Sequence, residues 1–275
     1  MPELPEVETI RRTLEKKILY RPVRGVEVLY PKVLRNCSEE QLERALLGRS
    51  FIELDRRGKY LLCSLDSGQQ LVIHLRMTGR LTAVPTDAAV EKHTSFRFHL
   101  QDGLDLRLVD QRKFATVDLV DCLGGGAVKA LEILGKEPLD EDFTPEYLAE
   151  QLADRRAAVK SVLLDQRRVA GLGNIYADES LHRAGIFPGK IAGKLTQEEI
   201  KRLHESIQQV IREGITHRGT TFRDYVDGEG RRGGFQDLLR VYGREGEPCT
   251  TCGEPIARIK LAGRSSFFCP RCQRD

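Results

Sequence analysis

Cys249-x2-Cys252 is followed, after sixteen intervening residues, by Cys269-x2-Cys272, and this spacing restricts the possible fold more than any other feature of the 275-residue chain. Two knuckles of this kind present four thiolates tetrahedrally to one zinc ion. With sulphur at all four positions no place is left for water, so such an ion is structural. Disulfides or redox thiols are the alternative use of the same cysteines, and they suit an oxidising compartment better. Ile256 to Ile259 and Ser266 to Phe268 can form the intervening hairpin, which carries Lys260 and Arg264 on a unit too small to fold without metal. Arg264 follows Gly263 at the turn and is placed to meet a phosphate. Cys37, Cys63 and Cys122 lack partners at metal spacing and read as small core residues.

Upstream, the apolar period changes twice. Val7, Ile10, Leu14 and Ile18 recur at helical spacing behind Pro5, which suits a first helical turn. Short β-forming segments follow at 23–29, 51–55, 60–65, 70–75, 96–100, 104–109 and 116–120, broken by the turn residues Asp66-Ser67-Gly68 and Asp102-Gly103. They predict an antiparallel sandwich or barrel, with a helix over 39–47 against its edge. Gly124-Gly125-Gly126 opens a stretch without β pattern, and helical spacing then recurs over 147–152, 159–164, 175–184 and 197–211. The predicted class is α+β and multidomain: a β-sandwich with flanking helices over 1–122, a linker over 123–145, a helical domain over 146–239 and a zinc ribbon over 240–275. Gly171-Leu172-Gly173-Asn174 opens a helix and is either a phosphate-holding turn or a tight helix-to-helix connection. The polar, glycine-rich stretch at about 218–237 is long enough to be a lid or a disordered loop.

The first eight residues, Met-Pro-Glu-Leu-Pro-Glu-Val-Glu, carry a second chemical possibility. Once Met1 is removed, Pro2 holds a secondary amine at the positive end of a helix, where the dipole favours the unprotonated, nucleophilic form and an ionised Glu3 beside it. The plainer alternative is an ordinary chain start whose acids complement the dipole. Net charge is only +3, although seven Lys and Arg face four acids from Arg240 onward and basic clusters occur at Arg56-Arg57-Gly58-Lys59 and around Arg155, Arg156 and Lys160. Such clusters are either solvated faces or phosphate contacts. With 40% apolar residues, no apolar run of membrane-spanning length and no signal peptide ahead of the acidic first helix, the expected location is the cytoplasm. No spare apolar seam is legible, so the expectation is a monomer.

Taken together, Pro2 to Glu8, Arg56 to Tyr60, His74 to Arg80, Gly171 to Tyr176 and the terminal four-cysteine ribbon resemble the formamidopyrimidine-DNA glycosylases over essentially the whole chain. The resemblance implies a bifunctional repair enzyme that excises 8-oxoguanine and formamidopyrimidines from duplex DNA and nicks the strand, with a helix-two-turn-helix motif in the helical domain. It implies no small-molecule cofactor beyond one structural Zn2+. Pro2 corresponds to the nucleophile at C1′, Glu3 to the acid/base, Lys59 to the proton donor of β-elimination and Arg264 to that of δ-elimination. Met77, Arg112 and Phe114 match the trio that fills the void left by an extruded base. His74, His93, Arg155, Lys160, Asn174 and Tyr242 align with phosphate or lesion-strand contacts, and the 218–237 stretch with a lesion-recognition loop. Ala115 departs from the family's usual glycine, which would alter the wedge backbone slightly.

Two rivals follow. An endonuclease VIII-type enzyme would share the fold and the Pro2-Glu3 chemistry but act on oxidised pyrimidines; Leu4 before Pro5 and the Met77, Arg112, Phe114 set favour the purine enzyme. A non-enzymatic zinc-ribbon DNA binder would leave Pro2, Glu3 and the β domain without a role.

Overall fold

The computed structural model describes residues 1–121 and 128–274; Cys122 and the glycines 124–126 lie outside them. The chain divides into two compact units, one of residues 1–133 with 217–236 and one of 134–216 with 237–275. The grouping differs from the predicted partition, most visibly at 134–145 and 217–236. Residues 134–145 belong to the second unit, because Gly135 donates to the Gln166 carbonyl, Lys136 bridges Val169, and Phe143 is buried. Residues 217–236 are claimed by the first unit through side-chain anchors that no apolar pattern announces.

In the first unit, helix α1 (Leu4–Ile18) precedes β1 (Val23–Val28), helix α2 (Glu39–Leu46) and strands β2 (Phe51–Arg57), β3 (Tyr60–Leu65), β4 (Gln69–His74), β5 (Gly79–Pro85), β6 (Thr94–Leu100), β7 (Leu104–Asp110) and β8 (Thr116–Asp121). Among the described residues they make two four-stranded antiparallel sheets, β1-β6-β7-β5 and β2-β3-β4-β8. The alternating apolar faces of both sheets and the Val7, Ile10, Leu14, Ile18 stripe of α1 share one core with Phe51, Phe96 and Phe98. Each such large side chain contributes roughly 1.5–3 kcal/mol by leaving water. α1 lies against β2, β3 and β5, and so touches both sheets. Strand β5 is absent from the sequence-based prediction because Gly79 and Pro85 bracket an Arg-Leu-Thr-Ala-Val alternation that reads as loop. Paired to β7 from Gly79↔Asp110 to Pro85↔Leu104, it is an edge strand, where proline costs no ladder bond.

The short helix α3 (Lys129–Glu132) lies at the end of the first unit's 1–133 segment, and in the second unit α4 (Pro145–Leu152), α5 (Val159–Leu163), α6 (Asn174–Ala184) and α7 (Gln197–Thr216) follow the predicted periodicity. Thr144 caps α4 by accepting the Tyr147 amide N–H at 3.2 Å. The ribbon hairpin is β9 (Ala257–Leu261) with β10 (Arg264–Phe268), paired from Leu261↔Arg264 to Ala257↔Phe268. Ala262 and Gly263 turn it with φ of 45° and 79°. Among the described residues no helix is long and apolar enough to cross a membrane.

Candidate active site and nucleic-acid interface

Pro2 and Glu3 are buried where α1 begins, Glu3 at 2% exposure. Glu3 is the N-cap, and its amide donates to Glu6 Oε2 at 2.8 Å, a reciprocal capping arrangement that fixes the entry of the chain into the helix. The other oxygen of Glu6 accepts the Thr220 N–H at 2.7 Å. One buried carboxylate therefore ties the first turn of α1 to the 217–236 segment. Gly219 sits beside it at φ 79°, and a Cβ there would stand 2.8 Å from Glu6 Oε1. A Cβ at Gly233 would stand 2.2 Å from the Gly219 carbonyl oxygen, so Gly233 is not replaceable without moving backbone, and a side chain at Gly219 would push against the Glu6 carboxylate. Further along α1, Thr13 Oγ1 accepts the Gly228 N–H, while Asp227, fully buried, binds Arg218 and the amides of Glu229 and Arg231. The expected loop is ordered by these bonds.

Lys59 is 7% exposed on the turn between β2 and β3, where Gly58 supplies the positive φ of 57° that a two-residue hairpin needs. Arg56 pairs with Glu8 of α1 at 3.2 Å and holds this turn to the same helix that carries Pro2 and Glu3. Burial disfavours a charged Glu8, but hydrogen bonds from Arg11 and Arg12 and the charges of Arg11 and Arg56 outweigh it and hold the carboxyl at about 2.

Asp110 organises the turns that carry Met77, Arg112 and Phe114. It is fully buried and accepts the amides of Phe114 (2.6 Å), Ala115 (2.7 Å) and Arg112 (3.2 Å) as well as the Thr78 hydroxyl. Thr78 Oγ1 in turn accepts the Arg112 N–H, so the turns carrying Met77 and Arg112-Phe114 are bound to one carboxylate. Met77 and Phe114 stand 42% and 50% exposed, large apolar groups held out in water, with the Arg112 guanidinium 4.8 Å from the Phe114 ring centre. Ala115 stays outside the left-handed region, so its backbone does not require glycine. Replacing Asp110 with alanine leaves several buried donors idle and should cost about 2–4 kcal/mol. Chemical denaturation would register that loss; unchanged stability would contradict the bracing role.

His74 and Lys160, aligned with backbone-contact positions, are both buried. His74 is 7% exposed, accepts the Arg76 N–H on Nδ1, and is driven down to about 3 by burial and then by the Arg76 and Lys59 charges. It is neutral, and Nε2 is what it could offer a phosphate. Lys160 is 1% exposed, with Nζ bound to the Ser265 carbonyl, the Ser266 hydroxyl and Asp178 Oδ1 at 2.7–2.8 Å. Its ammonium braces the ribbon from within. The Ser265 carbonyl also receives Asn174 Nδ2 at 3.0 Å, so Lys160 and Asn174 meet at the residue next to exposed Arg264. His93 is half-buried at φ 72°, and Arg155 is exposed at the end of α4.

Helix α6 holds the ribbon along its length. Asp178 accepts the Phe267 N–H, and Glu179, 3% exposed, accepts the successive amides of Arg240, Val241 and Tyr242 at 2.8–3.0 Å, which sets Tyr242 with its ring on Phe267. Burial pushes the Asp178 carboxyl up to about 7 against the pull of Lys160. Neither acid was singled out from sequence, although two adjacent carboxylates on an otherwise buried helix were the available signal. The four Sγ atoms of Cys249, Cys252, Cys269 and Cys272 lie within 4.8 Å of one another, two pairs at 3.4 and 4.0 Å. A tetrahedron with Zn–S bonds of about 2.3 Å has sulphurs about 3.8 Å apart, so the cluster fits one zinc ion.

Comparison with known proteins covers nearly all of this architecture. The formamidopyrimidine-DNA glycosylase N-terminal domain matches residues 1–117, the formamidopyrimidine-DNA glycosylase H2TH domain 134–226, and the zinc finger found in FPG and IleRS 246–274. The formamidopyrimidine-DNA glycosylase of Desulforamulus reducens is 52% identical, over 100% of this chain and 99% of that protein. Among solved structures, the Lactococcus lactis Fpg bound to abasic-site DNA has a TM-score of 0.92 at 38% identity, covering 99% of this chain and 100% of that one. The same enzyme with DNA containing N7-benzyl-Fapy-dG also gives 0.92 at 38% identity, with both chains fully covered.

Proposed function

The chain belongs to the formamidopyrimidine-DNA glycosylase family, and from that premise we propose that Pro2, freed by removal of Met1, is the nucleophile with which it excises oxidised purines from duplex DNA. It is a base excision repair glycosylase and abasic-site lyase, and it carries one structural zinc ion. The observation that carries the residue assignment is the buried start of α1, where Pro2 and Glu3 adjoin and Glu6 fixes their turn.

The Pro2 nitrogen lone pair bonds to C1′ as the glycosidic bond breaks, and the base leaves with the electron pair of the glycosidic bond. Glu3 takes the N–H proton that Pro2 sheds on bonding to C1′ and passes it to the sugar ring oxygen, and the opened sugar is held as an iminium. This cation acidifies the C2′ hydrogen, so loss of that proton expels the 3′ phosphate; a second elimination expels the 5′ phosphate. Lys59 and Arg264 are the proton donors of the two eliminations. The electron sink is the iminium, so no redox cofactor enters.

The target base must leave the stack first, and Met77, Phe114 and Arg112 are the groups to fill its place and hydrogen-bond the widowed cytosine. Asn174, Tyr242, His93, Arg155 and neutral His74 hold the backbone, and the ordered 217–236 segment faces the lesion base. Zinc keeps β9 and β10 folded and so keeps Arg264 in position. The protein acts as a monomer in the cytoplasm.

Cleavage of duplexes with 8-oxoguanine opposite cytosine, against duplexes with thymine glycol, tests the substrate class. Preference for 8-oxoguanine, with phosphates left at both ends of the gap, is expected. Preference for thymine glycol would assign the chain the pyrimidine specificity instead.

A further inference from the structure

His182 lies in the last turn of α6, eight residues after Asn174, and is 5% exposed. Its Nε2 stands 3.6 Å from Cys249 Sγ, within hydrogen-bonding reach of sulphur, and it comes from outside the ribbon. The Thr251 amide reaches the same sulphur at 3.4 Å, and the Cys272 amide reaches Cys269 Sγ at 3.4 Å. These two belong to the knuckles themselves. His182 is not a fifth member of the ligand cluster, because the atoms lying mutually within 4.8 Å are the four sulphurs alone. Its other nitrogen, Nδ1, is buried and has no hydrogen-bond partner among the described residues. The proton position is therefore decided at sulphur. A proton on Nε2 makes an N–H···S bond, whereas a bare Nε2 would aim a lone pair at a thiolate and leave a buried Nδ1–H idle.

We infer that His182 is an outer donor to the Cys249 thiolate, a positioning residue that secures the zinc ion and fastens the ribbon to the end of α6. Four thiolates around one Zn2+ carry a net charge of −2, and each N–H aimed at a sulphur offsets part of it. Outer contacts of this kind are worth 10–100-fold in metal affinity. The contact also completes the row Asn174, Asp178, Glu179, His182, through which one helix grips the ribbon at successive points. The inference rests on zinc filling the four-cysteine site, which the metal content of the unaltered protein checks separately.

The experiment uses full-length protein with His182→Phe, which keeps a flat ring and removes the donor, and His182→Gln, whose amide N–H reaches a similar point. Zinc transfer to a chromogenic chelator is followed over time, and the sulphur-to-metal charge-transfer band is recorded after Co2+ replaces zinc. With His182→Phe, transfer should accelerate about 10–100-fold, and the band should move to lower energy because the sulphur lone pairs lose a stabilising proton. His182→Gln should restore most of both. A His182→Phe protein that keeps the native transfer rate and band overturns the inference. So does a His182→Gln protein as impaired as His182→Phe, because ring packing would then be the cause. If His182→Phe does not fold, the Gln variant decides alone, and native values for rate and band are required of it.

Discussion

Changing Cys252 to serine is expected to reduce bound zinc from one ion per chain to almost none and to weaken binding to lesion-bearing duplex by about 100-fold or more. The ribbon's own apolar cluster is small, with Val241, Ile256 and Phe267 packed among the cysteines. A structural zinc ion supplies about 10–16 kcal/mol to folding at neutral pH, more than such a cluster can replace. The damage also travels inward. Asp178 and Glu179 hold their buried carboxylates on amides of residues 240–242 and 267, and loss of the ribbon removes those donors while the desolvation cost remains. Metal analysis with a duplex-binding titration checks this, and a zinc-free protein that binds damaged duplex at full strength would contradict it.

The second large effect is expected at Glu3. Replacing it with glutamine preserves size and leaves the backbone N–H to Glu6 in place, but removes the proton that the sugar ring needs. General acid–base assistance is worth roughly 10²–10⁴-fold, so single-turnover release of 8-oxoguanine should fall by that much while unfolding midpoints stay close to the unaltered protein. A base-release rate within threefold of normal would remove Glu3 from the chemistry.

Much of the fold was readable because its elements obey simple periods. The α1 stripe, most strands and the helices α4 to α7 are dictated by apolar spacing, and the ribbon by cysteine spacing. Strand β5 escaped because its glycine and proline ends imitate a loop. The residues proposed to carry the chemistry or to fill the void, Pro2, Glu3, Lys59, Met77, Arg112, Phe114 and Arg264, stand out by motif. What holds them does not, because a buried carboxylate that collects backbone amides leaves no periodic trace. Glu6, Asp110, Asp178 and Glu179 are all of this kind, each an acidic residue that collects main-chain amides, which any sequence possesses. The same reason explains Lys160, which belongs to a basic cluster in sequence but is spent inside the second unit on Asp178 and β10.

Borohydride reduction during reaction with an 8-oxoguanine duplex tests the central claim most directly, because it fixes the iminium as a stable protein–DNA link. The mature protein should give one adduct, carried by the N-terminal peptide at Pro2, and a variant extended by one residue ahead of Pro2 should give none. An adduct mapped to another residue, or full repair activity in the extended variant, would contradict it.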